Sequence, residues 1–311
     1  MKGCTRVNTA GMSRVEWLER RKKSIGGSDA AAIVGLSNYA SPYSVWAEKT
    51  GRLPDKPDSE AMRQGRDLED YVARRWMEET GKRVKRINAM LYHPAHPFAH
   101  ADVDRWVVGE NAGLECKTTS TLDLRQFKGV KFPEKYYAQC VHYMAVTGAD
   151  RWYLAVLVFG REFMTFTLDR DQGEIDALME SEQEFWRHVE RDEPPAMDGT
   201  IPTTEATRSI YPESNQEEIE LFGRASTLDR YFQLKDSAEH LTREIDRIEN
   251  IIRGDMGECG AGFCPGYTVR WKTQTRRIFQ AAEFAQDHPE LDLSTYYKES
   301  KSRPFKITKE G

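Results

Sequence analysis

Two carboxylates and an ammonium stand close together in the stretch ADVDRWVVGENAGLECKTTS, as Asp104, Glu115 and Lys117. FAHADVDRWVV and GLECKTT read as two strands joined by a turn at GENAG. Side chains two apart on a strand share a face. Glu115 and Lys117 therefore reach one site, and a hairpin sets Asp104 alongside. Two carboxylates with open positions suit Mg²⁺, a hard cation that keeps several waters. Such an ion polarises a phosphodiester and generates hydroxide, and a second ion can support the leaving oxygen. The Lys117 ammonium can orient the attacking water or stabilise phosphorane-like charge. The backbone carbonyl of Cys116, between the two side chains, is a further candidate ligand. An isolated D-x(10)-E-x-K is most often only a hairpin with solvated charges, so its neighbours decide what it means.

Three neighbours matter. Glu69 lies in GRDLED on a helix before the hairpin and can bring a further carboxylate; alone it would be a surface charge. Gln139 and Tyr143 stand four apart on a helix after the hairpin, on one helical face. Their amide and phenol can bind a nucleotide base or backbone, although such pairs are usually packing contacts. SIGGSDAAAIVG offers backbone N–H groups and a hydroxyl at a helix start, a ready anion site, just after Arg20, Arg21, Lys22 and Lys23. His93, His96 and His100 suggest zinc at first sight, but YHPAHPFAH is broken by two prolines, so no helix aligns them. Cys259 and Cys264 form a loose pair that no second pair completes as a metal site.

Positioning these residues requires an ordered succession of elements. RVEWLERRKKSIGGSDAAAIVG has a helical start and then an N-cap signal before an Ala-rich run. SPYSVWAEKTGR reads as a helix closed by Gly51, and LPDKPDSE as a loop. MRQGRDLEDYVARRWMEET carries apolar residues at helical spacing. RVKRINAMLYH reads as a strand. The two strands of the hairpin follow, then the helix PEKYYAQCVHYMAVTG, the strands RWYLAVLVFG and REFMTFTLD, and a helix through SEQEFWRHVERDEPP. This order predicts an α/β fold, a mixed sheet with helices on its faces. The expected boundaries are a core over residues 1–200 and an extension over 205–311, with a long helix over about 215–253 and a terminal β/helical piece. In that helix Tyr231, Leu234, Ala238, Leu241, Ile245, Ile248 and Ile252 recur every three or four residues, a heptad seam. An intermolecular coiled coil, packing on its own domain and a folded-back hairpin all satisfy it.

Composition sets the bounds. The chain has 311 residues, 39% hydrophobic and 31% charged, a globular balance with ample material for a core. No apolar run approaches the roughly 20 residues that span a bilayer, and the N-terminus lacks the apolar centre of a signal peptide. A cytoplasmic location is expected, and the five scattered cysteines argue against a disulfide framework. The net charge of −5 argues against a simple nucleic-acid coat, but leaves room for a local basic groove.

Taken together, the motifs resemble the YqaJ-like viral recombinase family, which is similar to phage lambda exonuclease and belongs to the PD-(D/E)XK nucleases. SIGGSDAAAIVGLSNYASPYSVWAEKTGR resembles its opening motif and GRDLED its G-x-x-x-E helix. ADVDRWV and LECKT resemble its catalytic strands, and YAQCVHYMAVTG its Q-x-x-x-Y helix. The tail GYTVRWKTQTRR…ESKSRPFKI resembles the end of phage proteins of this group. The resemblance implies a restriction-endonuclease-like core, two Mg²⁺ (or Mn²⁺) ions and processive 5′→3′ degradation of one strand of linear duplex DNA. Asp104, Glu115 and the Cys116 carbonyl would hold metal, Lys117 would be catalytic and Glu69 would support it. Arg21 and Ser28 would match the 5′-phosphate contacts, while Gln139 and Tyr143 would face DNA. It further implies a phage or prophage origin, a trimeric ring around DNA and a single-strand annealing partner. About 110 residues follow the core, a departure from the short lambda type that leaves the assembly open. The same motif also serves a nicking or structure-specific endonuclease, or a non-catalytic DNA-binding protein on a decayed core.

Overall fold

Capping residues at regular intervals divide the first part of the chain. A short strand β1 (Thr5–Asn8) leads to α1 (Arg14–Lys22), opened by a capping box between Ser13 and Glu16. α2 (Gly27–Ile33) follows Gly26, α3 (Pro42–Lys49) is capped by Ser41, and α4 (Glu60–Thr80) by Ser59. Gly81, left-handed at φ 70, ends α4. The computed structural model describes residues 3–55, 57–120, 127–215, 217–300 and 302–309. It divides into two units, Met1–Pro212 and Glu213–Gly311.

After α4 come β2 (Val84–Lys85), β3 (Ala89–Tyr92), β4 (His100–Asp102), β5 (Arg105–Val107) and β6 (Ala112–Thr119). Then follow α5 (Glu134–Thr147), β7 (Arg151–Val158), β8 (Glu162–Asp169), α6 (Gln172–Arg191) and α7 (Ile201–Ile210). The central sheet has the order β2-β5-β6-β7-β8. Its β6–β7 pair is parallel and its other pairs are antiparallel, the mixed sheet flanked by helices that the element order predicts. A second sheet pairs β1, β3 and β4.

Pleat alternation assigns the two faces of the central sheet. Ala112 and Leu114 of β6, with Tyr153 and Ala155 of β7, pack on Val72, Ala73 and Trp76 of α4. Trp152, Leu154 and Val156 of β7 face the opposite way, into the core that α5 covers. Gly113 and Trp152 are register partners, and a Cβ on Gly113 would lie 2.3 Å from the Trp152 ring, so only glycine fits there.

Two expected strands each split in two. RVKRINAMLYH turns at Asn88, whose φ is 48, so β2 joins the central sheet and β3 the other. FAHADVDRWVV likewise divides into β4 and β5, in different sheets. Asp104 therefore sits in the bend between them and not within a strand. β1, in the part expected to hold only helices, pairs with β3 because its four residues extend the edge of the smaller sheet.

The second unit is described by itself. It holds α8 (Ala225–Met256), a hairpin of β9 (Ala261–Cys264) and β10 (Tyr267–Arg270), α9 (Ala281–Asp287) and a 3₁₀ turn at Ser294–Tyr296. α8 begins about ten residues later than the expected start near 215, after Gly223 takes a positive φ of 73. None of the described residues of this unit is buried.

Candidate active site

β5 pairs with β6 only as far as Leu114, which leaves the β5-side edge of β6 open from Glu115 onward. The bend after β4 fills the start of this gap. The Cys116 N–H donates to Asp104 Oδ2 at 2.8 Å, so a carboxylate takes the place of a strand partner. A strand residue turns its N–H and C=O to the same side, and the Cys116 carbonyl therefore opens on this edge beside Asp104.

Glu115 and Lys117, on the α5 side of the sheet by alternation, form an ion pair of 2.5 Å. Glu115 is 2% exposed. Its Oε1 also accepts from Gln139 Nε2 at 2.7 Å, and Gln139 Nε2 reaches the Tyr143 hydroxyl at 2.9 Å. Its Oε2 is buried with no hydrogen-bond partner, a costly state for a carboxylate oxygen. Gln139 and Tyr143 are both buried, and the amide of Gln139 is aimed at the carboxylate.

Charge is concentrated here. Burial raises the pKa of Asp104 well above the usual carboxylate range, and the nearby charges of Glu115 and Glu69 raise it further. Burial also raises that of Glu115, against the pull of Lys117. Burial opposes the charge on Lys117, yet Glu115 and Asp104 outweigh it and the ammonium is held above its ordinary pKa. Glu69 comes from α4 and is bound by Arg105, which also binds Asp70 and the Asp104 carbonyl oxygen. Glu115 keeps one buried carboxylate oxygen without a partner, and Asp104 and the Cys116 carbonyl are the neighbouring oxygens that could join it on a hard cation. Among the described residues no three His, Cys, Asp or Glu side chains form a ready cage, and two carboxylates with a carbonyl and water are a donor set that a hard cation accepts. The unpartnered Glu115 oxygen fits that donor set.

A cavity of about 670 Å³ lies in the same unit, lined by Arg21, Ser28, Thr118, Lys135 and Gln139 among others. Arg21 Nη2 donates to Ser28 Oγ at 2.8 Å, and its Nε is buried without a partner. Arg20 and Lys23 are exposed, whereas Arg21 and Lys22 are half-buried and both line the cavity, Lys22 being paired with Glu19 and Asp55. Asp29, bound to the Gly26 N–H and to Lys49, lies behind Arg21 and Ser28. The three histidines do not converge. His93 Nδ1 accepts from the backbone N–H groups of Ala95 and His96, whereas His100 is fully buried against Ser24.

Comparison with known proteins gives this geometry a context. Residues 16–150 match the YqaJ-like viral recombinase domain. The chain is 36% identical over 302 residues to the protein YqaJ of Bacillus subtilis (strain 168), covering 95% of this chain and 94% of that one. The chain belongs to the YqaJ-like viral recombinase family. Among solved structures it is similar to LHK-Exo, an alkaline exonuclease from Laribacter hongkongensis, at a TM-score of 0.49 and 21% identity, covering 57% of this chain and 93% of that one. It is also similar to a phage-related exonuclease from Haemophilus somnus 129PT, at 0.43 and 12%, covering 55% and 96%. All the candidate site residues of this YqaJ-like chain fall within the span that its family model covers.

Sequence reasoning missed two supports of the site. Arg105 clamps Glu69 across 36 residues of chain, and its only local signal is its place directly after Asp104. Lys49 is almost wholly buried and neutralises Asp29 under the Arg21 pocket. Its place at the end of the short helix α3 gives no hint of that burial. Among the described residues, no helix is long and apolar enough to cross a membrane.

Proposed function

We propose that this chain is a metal-dependent deoxyribonuclease of the PD-(D/E)XK type, an exonuclease that degrades one strand of linear duplex DNA 5′→3′ and leaves single-stranded DNA for recombination. The observation that carries the reading is the buried Glu115 carboxylate, one oxygen unpartnered, close to an Asp104 whose pKa is raised first by burial and then by the Glu115 charge. Two carboxylates gathered this way gain most from a cation between them. Asp104, Glu115 and the Cys116 carbonyl would hold Mg²⁺ or Mn²⁺, as one ion or as a pair. The bound metal would polarise the phosphodiester and lower the pKa of its water.

The chain's own residues do the rest. Lys117 places a fixed positive charge where phosphoryl charge develops. Gln139 holds the Glu115 carboxylate in one orientation, and Arg105 keeps Glu69 from crowding the same space. Water joins phosphorus as the P–O3′ bond breaks, which leaves a 5′-phosphate on the strand that remains. Arg21 and Ser28 suit that group, a fixed guanidinium beside a hydroxyl. Membership of the family supports a phage or prophage setting, a DNA end as substrate and an annealing protein as the recipient of the product strand.

The deciding experiment compares linear with covalently closed duplex DNA in Mg²⁺. Linear DNA should be degraded and the circle left intact. Asp104→Ala, Glu115→Ala and Lys117→Ala should each lower the rate by about a hundredfold or more while the circular dichroism spectrum is unchanged. Cutting of the circle would assign an endonuclease to the same core, and full activity in excess EDTA would remove metal from the reaction.

A further inference from the structure

Within the second unit, the described residues leave the apolar seam of α8 largely exposed. Leu241 is 63% exposed, Ile245 58% and Ile248 58%, and Leu234 is exposed as well. The described residues of the second unit form no buried core that would take this face, and helices in proteins owe most of their stability to such packing. The seam assigns heptad positions: Tyr231, Ala238, Ile245 and Ile252 at a, with Leu234, Leu241 and Ile248 at d. The flanking g positions are then Arg230, Ser237 and Glu244, and the e positions Lys235, Thr242 and Glu249.

These flanks distinguish the two ways of pairing α8 with itself. In a parallel pair, g faces the e position of the following heptad. Arg230 would then meet Lys235 of a second copy, and Glu244 would meet Glu249, so both contacts repel. In an antiparallel pair, g faces g and e faces e. With Ala238 opposite Leu241 at the centre, Arg230 meets Glu244 and Lys235 meets Glu249, so each charged contact attracts and occurs twice by symmetry. The layers also match in size: the small Ala238 receives Leu241, Leu234 lies against Ile245, and Tyr231 against Ile248. Charges at e and g set the orientation of such pairs.

We infer that α8 is a dimerisation element, and that two copies of this chain associate through it as an antiparallel two-stranded coiled coil. This inference is independent of the nuclease chemistry, because it uses no residue of the first unit.

Light scattering on the full chain tests it. Leu241→Asp with Ile245→Asp should lower the solution mass twofold, with the thermal unfolding transition of the first unit unchanged as a check that the chain is folded. Arg230→Glu with Lys235→Glu turns all four attractive contacts into repulsive ones and should weaken association by about tenfold or more. Adding Glu244→Lys and Glu249→Lys to that variant should restore it, because the pairs are rebuilt with their signs exchanged. A fold-back hairpin within one chain, or a foreign partner, gives no mass change in the seam variant. A parallel pair gives no loss on the first charge reversal. Either result, or a fourfold-substituted chain that fails to regain its mass, overturns the inference.

Discussion

Gln139 meets the candidate centre only through Glu115, yet it fixes one of the two oxygens of that carboxylate. Its amide is itself held by the Tyr143 hydroxyl, so the pair acts as a brace. Hydrogen-bonding partners of metal ligands change affinity or activity by about 10- to 100-fold when removed. Gln139→Leu should show a loss of that size, with a weaker apparent affinity for Mg²⁺, whereas Tyr143→Phe should cost much less; equal losses in both would break the brace. Arg21 is argued on the same scale. A terminal 5′-phosphate carries more charge than an internal phosphodiester, so linear duplex with 5′-phosphate ends should be degraded faster than the same duplex with 5′-hydroxyl ends, and Arg21→Ala should shrink the difference. Equal initial rates on the two substrates in the wild type would leave Arg21 a structural contact to Ser28. The shared face of Glu115 and Lys117 was legible in the sequence because strand periodicity is a local signal, whereas Asp104 reaches Cys116 from a bend and not from a paired strand. The aim of Gln139 at Glu115 was not legible, since i and i+4 spacing gives the shared face of a helix but not what that face meets.

The element that presents Ser28 is α2, and two features hold it in place. Gly27 lies so close to α5 that a Cβ there would come within 2.5 Å of the Tyr143 ring. Asp29 accepts the Gly26 N–H at 2.9 Å and pairs with Lys49 at 2.6 Å, and both are buried. Burial alone would raise the Asp29 pKa, but Lys49 and Arg21 win and hold it below the usual carboxylate range. A carboxyl with a depressed folded pKa contributes its full stability above the unfolded value, about 3.9, and loses it as pH falls toward the folded one. Urea titrations should therefore show Asp29→Asn and wild type converging below about pH 4, with the variant weaker at neutral pH. Lys49→Met, which strands the buried carboxylate, should cost about 3–5 kcal/mol, and the Asp29→Asn, Lys49→Met double substitution should recover much of it. An additive double variant would show that the two do not form one unit. The mixed sheet was legible from the order of apolar runs. The breaks at Asn88 and Asp104 were not, because a positive φ at Asn88 and an open strand edge at β6 are decided by which sheet each half joins.

At the scale of the molecule, the clustered buried residues of the core lie in the first unit, the last of them Ala206 on α7. The candidate catalytic and DNA-binding residues, from Arg21 to Tyr143, lie there too. The second unit, from Glu213 onward, has instead a long helix with its apolar seam exposed. A net charge of −5 makes strong non-specific attraction to DNA a poor means of staying on a substrate, which increases the weight of assembly. Folding and cleavage should therefore belong to Met1–Pro212, and persistence on DNA to the association of whole chains. The fragment 1–212 should unfold in one cooperative transition. For a unit of this size about 1 kcal/mol corresponds to roughly 2–4 °C, so its midpoint should lie within about that interval of the first-unit transition in the full chain. It should cleave a short linear duplex at a rate close to that of the full chain, because such a substrate needs no repeated turnover on one molecule. On a long duplex challenged with excess competitor DNA, the full chain should release longer stretches of single strand than the fragment. A fragment that fails to fold would place part of the core in the second unit, and equal product lengths would take persistence away from assembly.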